Sequence, residues 1–239
     1  QINLAIAGIA IGIVILPSLS KHIKLRKIKE INLIQNKALE LSLFLSLPAT
    51  FALIIASEEI TSALFGYGSF GPESVKNSSK ALFYFALGLP AFSLIKIFSS
   101  FLFARNNTKI PFYFSVLAVI LNILISIVFF NKLGFIIIPI ATTISSWFNS
   151  FLLYVYLSKN NYFNFNKNQI MPILKIIISV FLTTLIFYFL INNFSIYLEY
   201  QNQYKLITII MLVILTFLSY LLISIVTKAF KFSDIKLKY

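Results

Sequence analysis

The chain has no cysteine and a single histidine, His22. Without cysteine there can be no disulfide, no catalytic thiol and no thiolate metal site, and one imidazole leaves no histidine pair for a metal ion. Charge is also scarce, because only 11% of the 239 residues are charged, against about 25% in soluble domains. Acidic residues number 7 against 20 basic ones. We therefore expect no bound metal and no cofactor.

Apolar sequence dominates instead: 59% of the residues are hydrophobic and the mean hydropathy is +0.91. A transmembrane helix needs about 20 apolar residues, and spans must satisfy their own backbone hydrogen bonds. The alternating pattern of a membrane β-barrel is missing. The sequence predicts an all-α polytopic membrane protein with about seven transmembrane helices, at residues 3–20, 38–57, 81–104, 110–131, 134–157, 170–192 and 205–227.

Basic residues are distributed unevenly among the connecting loops. Fourteen of the 20 lysines and arginines follow the first, third, fifth or seventh segment, and four follow the second, fourth or sixth. Loops rich in lysine and arginine stay in the cytoplasm, so we predict a cytoplasmic C-terminus. Because Gln1 already lies next to an apolar segment, we also expect further protein before it that delivers the chain to the outer face.

The segment after the first span, residues 21–36, mixes basic residues with apolar ones at helical spacing. We predict that it lies along the cytoplasmic membrane surface. A basic segment beside a membrane attracts anionic lipid headgroups, which argues against nucleic acid as a partner. The apolar residues are Ile23, Ile28, Ile31 and Ile34.

Two other loops between the predicted spans contain further features. Residues 57–80 predict a short interfacial helix and a glycine-rich turn on the outer side. The polar and aromatic stretch 160–168 is the best candidate boundary. It would separate residues 1–160, with five spans, from residues 161–239, with a two-helix hairpin and a basic cytoplasmic tail.

Two lysines, Lys175 and Lys96, lie inside predicted spans, and Lys96 stands in the middle of a long apolar run. A charged side chain in the hydrocarbon costs roughly 2.5–3.5 kcal/mol on insertion scales, so it usually faces a protein interior or a water-filled path. The alternative is that Lys96 snorkels toward the same surface as Arg105, two turns further on. Spacing alone leaves both interpretations open.

Other polar and helix-bending residues within the spans are weaker signals. Asparagine can contact a substrate or can hydrogen-bond a neighbouring helix. Glycine permits close helix packing, and proline kinks or breaks a span, as in the broken helices of transporters. The candidates for substrate contact are Gln1, Asn3 and Asn122, and those for packing or breaking are Gly8, Gly12, Pro17, Gly88 and Pro90.

Two apparent catalytic motifs are rejected. Residues 66–71 match G-x-G-x-x-G, but a dinucleotide site needs a strand before the motif and a helix after it in a βαβ unit. Ser18, His22 and Asp234 have nothing in the sequence that sets the hydrogen-bond geometry of a hydrolytic triad. No catalytic residue is predicted.

Several blocks of sequence resemble the MurJ/MviN family of lipid II flippases. Residues 8–22, GIAIGIVILPSLSKH, are similar to the family's eighth helix, and residues 45–49 and 64–70 to its next helix and outer loop. The most specific likeness lies within residues 88–111, which hold GLPAF, Lys96 and FARNNTKIP. The likeness is detailed to about residue 125, and beyond that only the hydrophobic pattern agrees.

The resemblance implies a fourteen-helix fold of the MOP exporter superfamily, with two six-helix lobes and a final helix pair. This chain would hold helices eight to fourteen, so residues 1–160 would be most of the second lobe. The family moves an undecaprenyl-diphosphate-linked peptidoglycan precursor across the bacterial cytoplasmic (inner) membrane by alternating access. It is a transporter and not an enzyme.

The resemblance also implies partners and a site. The partners would be the undecaprenyl-linked precursor, membrane lipids and the N-terminal lobe of the same protein, which this chain lacks. The substrate contacts would be Gln1, Asn3, Lys96 and Asn122. Two departures matter: the family's cavity arginine on this first helix would precede Gln1, and Gly66-Tyr67-Gly68 replaces the family's usual Glu-Arg-Gly.

Three other functions stay open at this point. Another MOP exporter, for polysaccharide-linked lipid or for drugs, is the nearest, although a drug antiporter favours an acidic residue in its cavity and no span core here has one. A membrane glycosyl or phosphoryl transferase would need paired carboxylates or a metal site. A non-transporting assembly subunit is the third.

Overall fold

A computed structural model describes residues 5–229 of the chain, with side chains from Gly8 onward. Every regular element in that range is helical, which confirms the all-α prediction. A π-helical turn, Ala5–Ala10, comes first, and 3₁₀ turns lie at Gly134–Ile136 and Lys167–Gln169. The α-helices are α1 Ile11–Lys24, α2 Ile28–Ile55, α3 Ser57–Phe65, α4 Pro72–Phe103, α5 Lys109–Leu133, α6 Ile137–Lys159, α7 Ile170–Asn193, α8 Ser195–Leu198 and α9 Lys205–Val226.

Within the described residues, five helical stretches are long and apolar enough to cross a membrane. One of them, Lys109–Lys159, contains two predicted segments, because only the turn at Gly134 separates α5 from α6. The first predicted segment, 3–20, is not among the five, since α1 has only 14 residues. The other stretches are Ile28–Ile55, Pro72–Phe103, Lys167–Asn193 and Lys205–Val226.

The helices α2 and α4 start well before the apolar segments that predicted them. Their first turns carry polar and charged residues, which are tolerated in a helix as soon as it leaves the hydrocarbon. Residues 28–37 are therefore the beginning of α2 and not a separate surface segment. Only residues 25–27 separate α2 from α1, so the predicted surface segment is in fact a tight corner between two helices.

The described residues form two compact units. The first comprises residues 5–46 and 88–173, and the second residues 47–87 and 174–229. The predicted division after residue 160 concerns the grouping of spans in a larger protein and stays a prediction.

The core of the first unit is aromatic where α4 meets α6 and the loop that follows α6. The rings of Phe98, Phe101 and Phe163 lie with their centroids 5.6–6.0 Å apart. Leu19 of α1 and Leu153 of α6 are fully buried against the same cluster. In the same unit α5 and α6 pack antiparallel, since the Phe114 and Tyr156 rings near their opposite ends are 6.0 Å apart.

The stretch 160–168, predicted as a boundary, is anchored in the first unit. Phe163 is only 1% exposed. The side chain of Asn36 on α2 donates to the carbonyl of Asn164 at 3.0 Å and accepts from the amide of Asn166 at 3.0 Å. A polar asparagine-rich composition indicates a loop. It does not reveal that the side chain of Phe163 packs into the core of the first unit and holds the loop in place.

The second unit has a smaller core, where the hairpin of α7 and α9 meets α3. Ala56, Ala63, Phe187, Ile191 and Leu212 are buried together there. The short α3 after α2 agrees with the interfacial helix predicted for residues 57–80.

Four helices end in the same way, with a residue in the left-handed region after the last turn. The amide of that residue and the amide of the next residue bond back to the final carbonyls in the Schellman pattern, for example Arg26 to Ile23 and Lys27 to His22. Asparagine adopts this conformation more easily than other residues that carry a β-carbon, for which it costs about 1–2 kcal/mol. The four residues are Arg26, Asn106, Asn161 and Lys228, with φ of 54–57°.

Candidate functional site

Lys96 lies in the second half of α4, on the exposed face of the first unit. Its backbone carbonyl accepts a hydrogen bond from Ser100 Oγ at 2.9 Å. Its ammonium group has no hydrogen-bond or ion-pair partner among residues 8–229. The cation is therefore available to a ligand from outside this part of the chain.

The base of the Lys96 side chain packs against the start of the chain. A β-carbon built on Gly8 would lie 3.3 Å from both Cβ and Cγ of Lys96 and 3.2 Å from Cα of Ser93. One turn later, a β-carbon on Gly12 would lie 2.7 Å from Ser100 Oγ. Because both contacts advance along the chain together, this segment runs parallel to α4, and its glycines permit the close approach.

The π-helical turn Ala5–Ala10 includes Gly8. Such turns are rare, and they are frequent at functional sites because they interrupt the regular ladder of hydrogen bonds. Here the wider turn places its glycine directly beside Lys96.

The direction of Lys96 bears on the snorkelling interpretation. Side chains on an α-helix lean toward its N-terminus, and α4 ends at Phe103. Lys96 lies seven residues before that end, which corresponds to about 10 Å of helix. A lysine that follows the usual lean starts out away from Arg105, and both the polar path and the snorkelling interpretation of Lys96 stay predictions.

Serines surround the base of Lys96 on α4, and the sequence interpretation overlooked them. Ser93, Ser99 and Ser100 are 1%, 8% and 9% exposed. The Ser93 hydroxyl has no hydrogen-bond partner among the described residues. The sequence could have indicated them, because it places three serines within eight residues of an apolar span. Small residues in a span mark contacts between helices.

Asn122 lies on α5, where its amide donates to Thr142 Oγ1 at 3.0 Å and to Ser145 Oγ at 3.4 Å on α6. This is the interhelical role that was left open from sequence. Substrate contact by Asn122 stays a prediction.

The glycines and prolines predicted to pack or kink the helices lie in different environments. A β-carbon on Gly88 would lie 3.0 Å from Thr143 Oγ1, so α4 and α6 approach closely there. Pro90 is buried within α4, whereas Pro17 is exposed within α1. Gln1 and Asn3 lie outside the described residues.

A second cation, Arg105, closes one end of the first unit. Its guanidinium donates to the carbonyls of Phe101 and Tyr162, each at 2.7 Å, and lies 4.8 Å from the Tyr162 ring centre. Gln35 donates to the same Tyr162 carbonyl at 2.9 Å. Burial lowers the pKa of Arg105, although a guanidinium stays charged at neutral pH.

A third cation, Lys205, is 2% exposed at the start of α9 in the second unit. Its ammonium donates to the carbonyls of Gly66 and Tyr200, each at 2.7 Å. The rings of Tyr67 and Tyr200 flank it at 4.3 and 4.5 Å. The Tyr200 hydroxyl donates to the Phe70 carbonyl at 3.0 Å.

Three of the four acidic residues described in the second unit line a surface cavity of about 230 Å³. Burial and the nearby charge of Glu58 raise the pKa of Glu59, and a backbone hydrogen bond offsets part of the rise. Within residues 8–229 no group of three acidic or histidine side chains is close enough to hold a metal ion. The carboxylates are those of Glu58, Glu59 and Glu199.

Comparison with known proteins agrees on one family. The sequence model of the family described as "Lipid II flippase MurJ" matches residues 1–206. A "Probable lipid II flippase MurJ" of Rickettsia prowazekii (strain Madrid E) is 36% identical over 210 residues, which cover 87% of this chain and 41% of the relative. Its counterpart in Rhizobium tropici is 38% identical over 162 residues, 68% of this chain and 30% of the relative.

A solved structure shares the fold. "Lipid II flippase MurJ, inward closed conformation" matches with a TM-score of 0.75 and 25% identity, over 95% of this chain and 44% of that one. The chain thus spans less than half the length of the relatives that it matches. The apolar helices and these relatives identify a multi-pass protein of the bacterial inner membrane. Since the family match extends over most of the chain, from the glycines beside Lys96 to the Lys205 site, the chain belongs to the MurJ family of lipid II flippases.

Proposed function

We propose that this chain forms the C-terminal half of a lipid II flippase. Together with an N-terminal lobe, it moves an undecaprenyl-diphosphate-linked peptidoglycan precursor to the outer leaflet by alternating access. The family match over residues 1–206 carries the proposal. The all-helical fold, with five described helical stretches long and apolar enough to cross a membrane, supports it.

Lys96 is the residue on which we place the contact with the diphosphate. Cations and phosphate oxygens form charge-assisted hydrogen bonds about twice as strong as neutral ones. Arg105 and Lys205 already use their donors on backbone carbonyls, whereas the Lys96 ammonium is unoccupied among the described residues. Buried serines at its base add hydroxyls to the same stretch of α4.

The test is a substitution of Lys96 in the full-length protein that contains this chain. We expect Lys96→Ala to lower precursor flipping about 10- to 100-fold, the value of one hydrogen bond between charged groups. Lys96→Arg keeps the charge but not the shape of the ammonium, so we expect an intermediate rate. Flipping is measured in cells depleted of their own flippase, beside the amount of protein in the membrane.

The matched control is Lys109→Ala, which removes an exposed lysine at the start of α5. It should leave flipping unchanged. Full activity of Lys96→Ala at normal abundance would remove Lys96 from the site and leave snorkelling as its better explanation.

We further propose that the loop 160–168 and the C-terminus face the cytoplasm and that the loop after α3 faces outward. The basic asymmetry of the loops motivates this orientation. In a background without other cysteines, Ser69→Cys should react with a membrane-impermeant reagent in intact spheroplasts, and Asn168→Cys should react only after lysis. Both side chains are exposed. The reverse labelling pattern would contradict the orientation.

A further inference from the structure

The corner between α1 and α2 concentrates exposed positive charge. We call residues 21–33 the basic elbow. Among the described residues its cations have no ion-pair partner, and Glu30 is its only acidic side chain. The exposed basic residues are Lys21, Lys24, Arg26, Lys27 and Lys29.

The apolar residues of the basic elbow divide into two sets. Ile31 is buried, and Ile23 packs with it against the core of the first unit. Helical spacing had grouped these residues with Ile28 on one membrane-facing side. The structure instead turns a different set outward: Leu25, Ile28 and Leu33, which are 55%, 68% and 67% exposed.

The backbone holds this arrangement in place. The amides of Arg26 and Lys27 bond back to the last turn of α1, and the Ile31 amide bonds to the Lys27 carbonyl in the first turn of α2. The corner is therefore ordered by its own hydrogen bonds. Its exposed side chains are already in position before a partner binds.

The length of α2 places the basic elbow at the depth of lipid headgroups. Its 28 residues extend about 42 Å, whereas the hydrocarbon core of a bilayer is about 30 Å thick. The apolar part of the helix begins near residue 38, so the first ten residues lie outside the hydrocarbon. At the same rise per residue, residues 28–33 lie about 7–15 Å beyond the start of the hydrocarbon, at the headgroup layer of one leaflet and its outer edge.

We propose that the basic elbow docks on anionic phospholipid headgroups of the surrounding bilayer. Its lysines and arginine bind the lipid phosphates, and Leu33, the exposed apolar residue nearest to the hydrocarbon, enters the headgroup layer. Charge and apolar surface act together in such interfacial segments. The docking depends only on the membrane setting and not on the precursor that the protein carries.

The experiment uses the full-length protein with Leu33→Cys as its one cysteine, labelled with an environment-sensitive fluorophore. The protein is reconstituted in phosphatidylcholine vesicles with increasing phosphatidylglycerol. We expect a blue shift that grows with the anionic lipid. Each basic residue near the surface contributes about fivefold to the affinity for anionic lipid. Replacing Lys24, Lys27 and Lys29 together by glutamine should therefore raise the phosphatidylglycerol fraction at half-maximal shift at least tenfold, or abolish the shift.

The matched control replaces three exposed lysines elsewhere on the protein, Lys76 and Lys80 on α4 and Lys132 on α5, by glutamine and should leave the shift unchanged. An equal shift in pure phosphatidylcholine, or an equal loss in the control triple variant, would overturn the proposal. So would reversal of the shift by millimolar inorganic phosphate, which would indicate a site for the free anion. Precursor flipping, measured in parallel, separates this result from the proposed transport.

Discussion

Lys96 and Lys205 are the same side chain in opposite surroundings. Lys205 is 2% exposed, with two backbone carbonyls at 2.7 Å and two tyrosine rings around it. Lys96 is exposed, and no described residue binds its ammonium. A cation whose donors are used internally ties the fold together, whereas one left open beside buried serines can recognise a ligand.

The closed site also shows how a charge can be buried without a carboxylate. The Lys205 ammonium joins Gly66 and Tyr200, and Gly66 lies 139 residues away in the chain. Cation–π contacts with the two rings replace part of the lost hydration. The arrangement secures the loop after α3 to the start of α9.

The largest expected effect comes from removing the ammonium group of Lys205. Lys205→Met should destabilise the protein by about 2–4 kcal/mol, because it leaves the carbonyls of Gly66 and Tyr200 buried without a donor. The measurement is the midpoint of unfolding of the full-length protein in mixed micelles with increasing sodium dodecyl sulfate. The matched control, Lys96→Met, should shift stability by less than about 0.5 kcal/mol, as a surface substitution does. Equal shifts for both would erase the distinction between the two lysines.

Arg105 offers an intermediate case. Arg105→Met should cost about 1–2 kcal/mol, less than the loss at Lys205, because the half-buried site lets water reach the carbonyls of Phe101 and Tyr162. Arg105→Lys should recover only part of the loss, since a single ammonium lacks the planar fork that reaches both carbonyls. The same unfolding assay applies, and a larger cost than that of Lys205→Met would reverse the ranking.

The smallest expected effect concerns the helix contact beside Lys96. Gly12→Ala should cost about 1 kcal/mol, because its β-carbon would lie 2.7 Å from Ser100 Oγ. Ser100→Ala in the same protein should recover most of that stability, since the obstruction is one side-chain atom. Gly8→Ala should not be rescued in this way, because its nearest obstacle is Ser93 Cα in the backbone. Failure of the double variant to recover would show that α1 does not pack on α4 through these atoms.

The helices themselves follow from local sequence. Apolar length and the need to satisfy backbone hydrogen bonds predict the helices around residues 38–57 and 81–104, and asparagine at 106 and 161 suits the left-handed ends found there. Lys96 stood out for the same reason, because a charge within an apolar run is visible without any knowledge of contacts.

The tertiary structure alone decided which residues meet. The caging of Lys205, the docking of Phe163 and the outward turn of Leu25, Ile28 and Leu33 all depend on contacts between distant parts of the chain. Helical spacing placed Ile31 with the membrane-facing set, but packing against the core takes it inward. Periodicity shows that a helix has an apolar side, and only the neighbouring helices determine whether protein or lipid covers it.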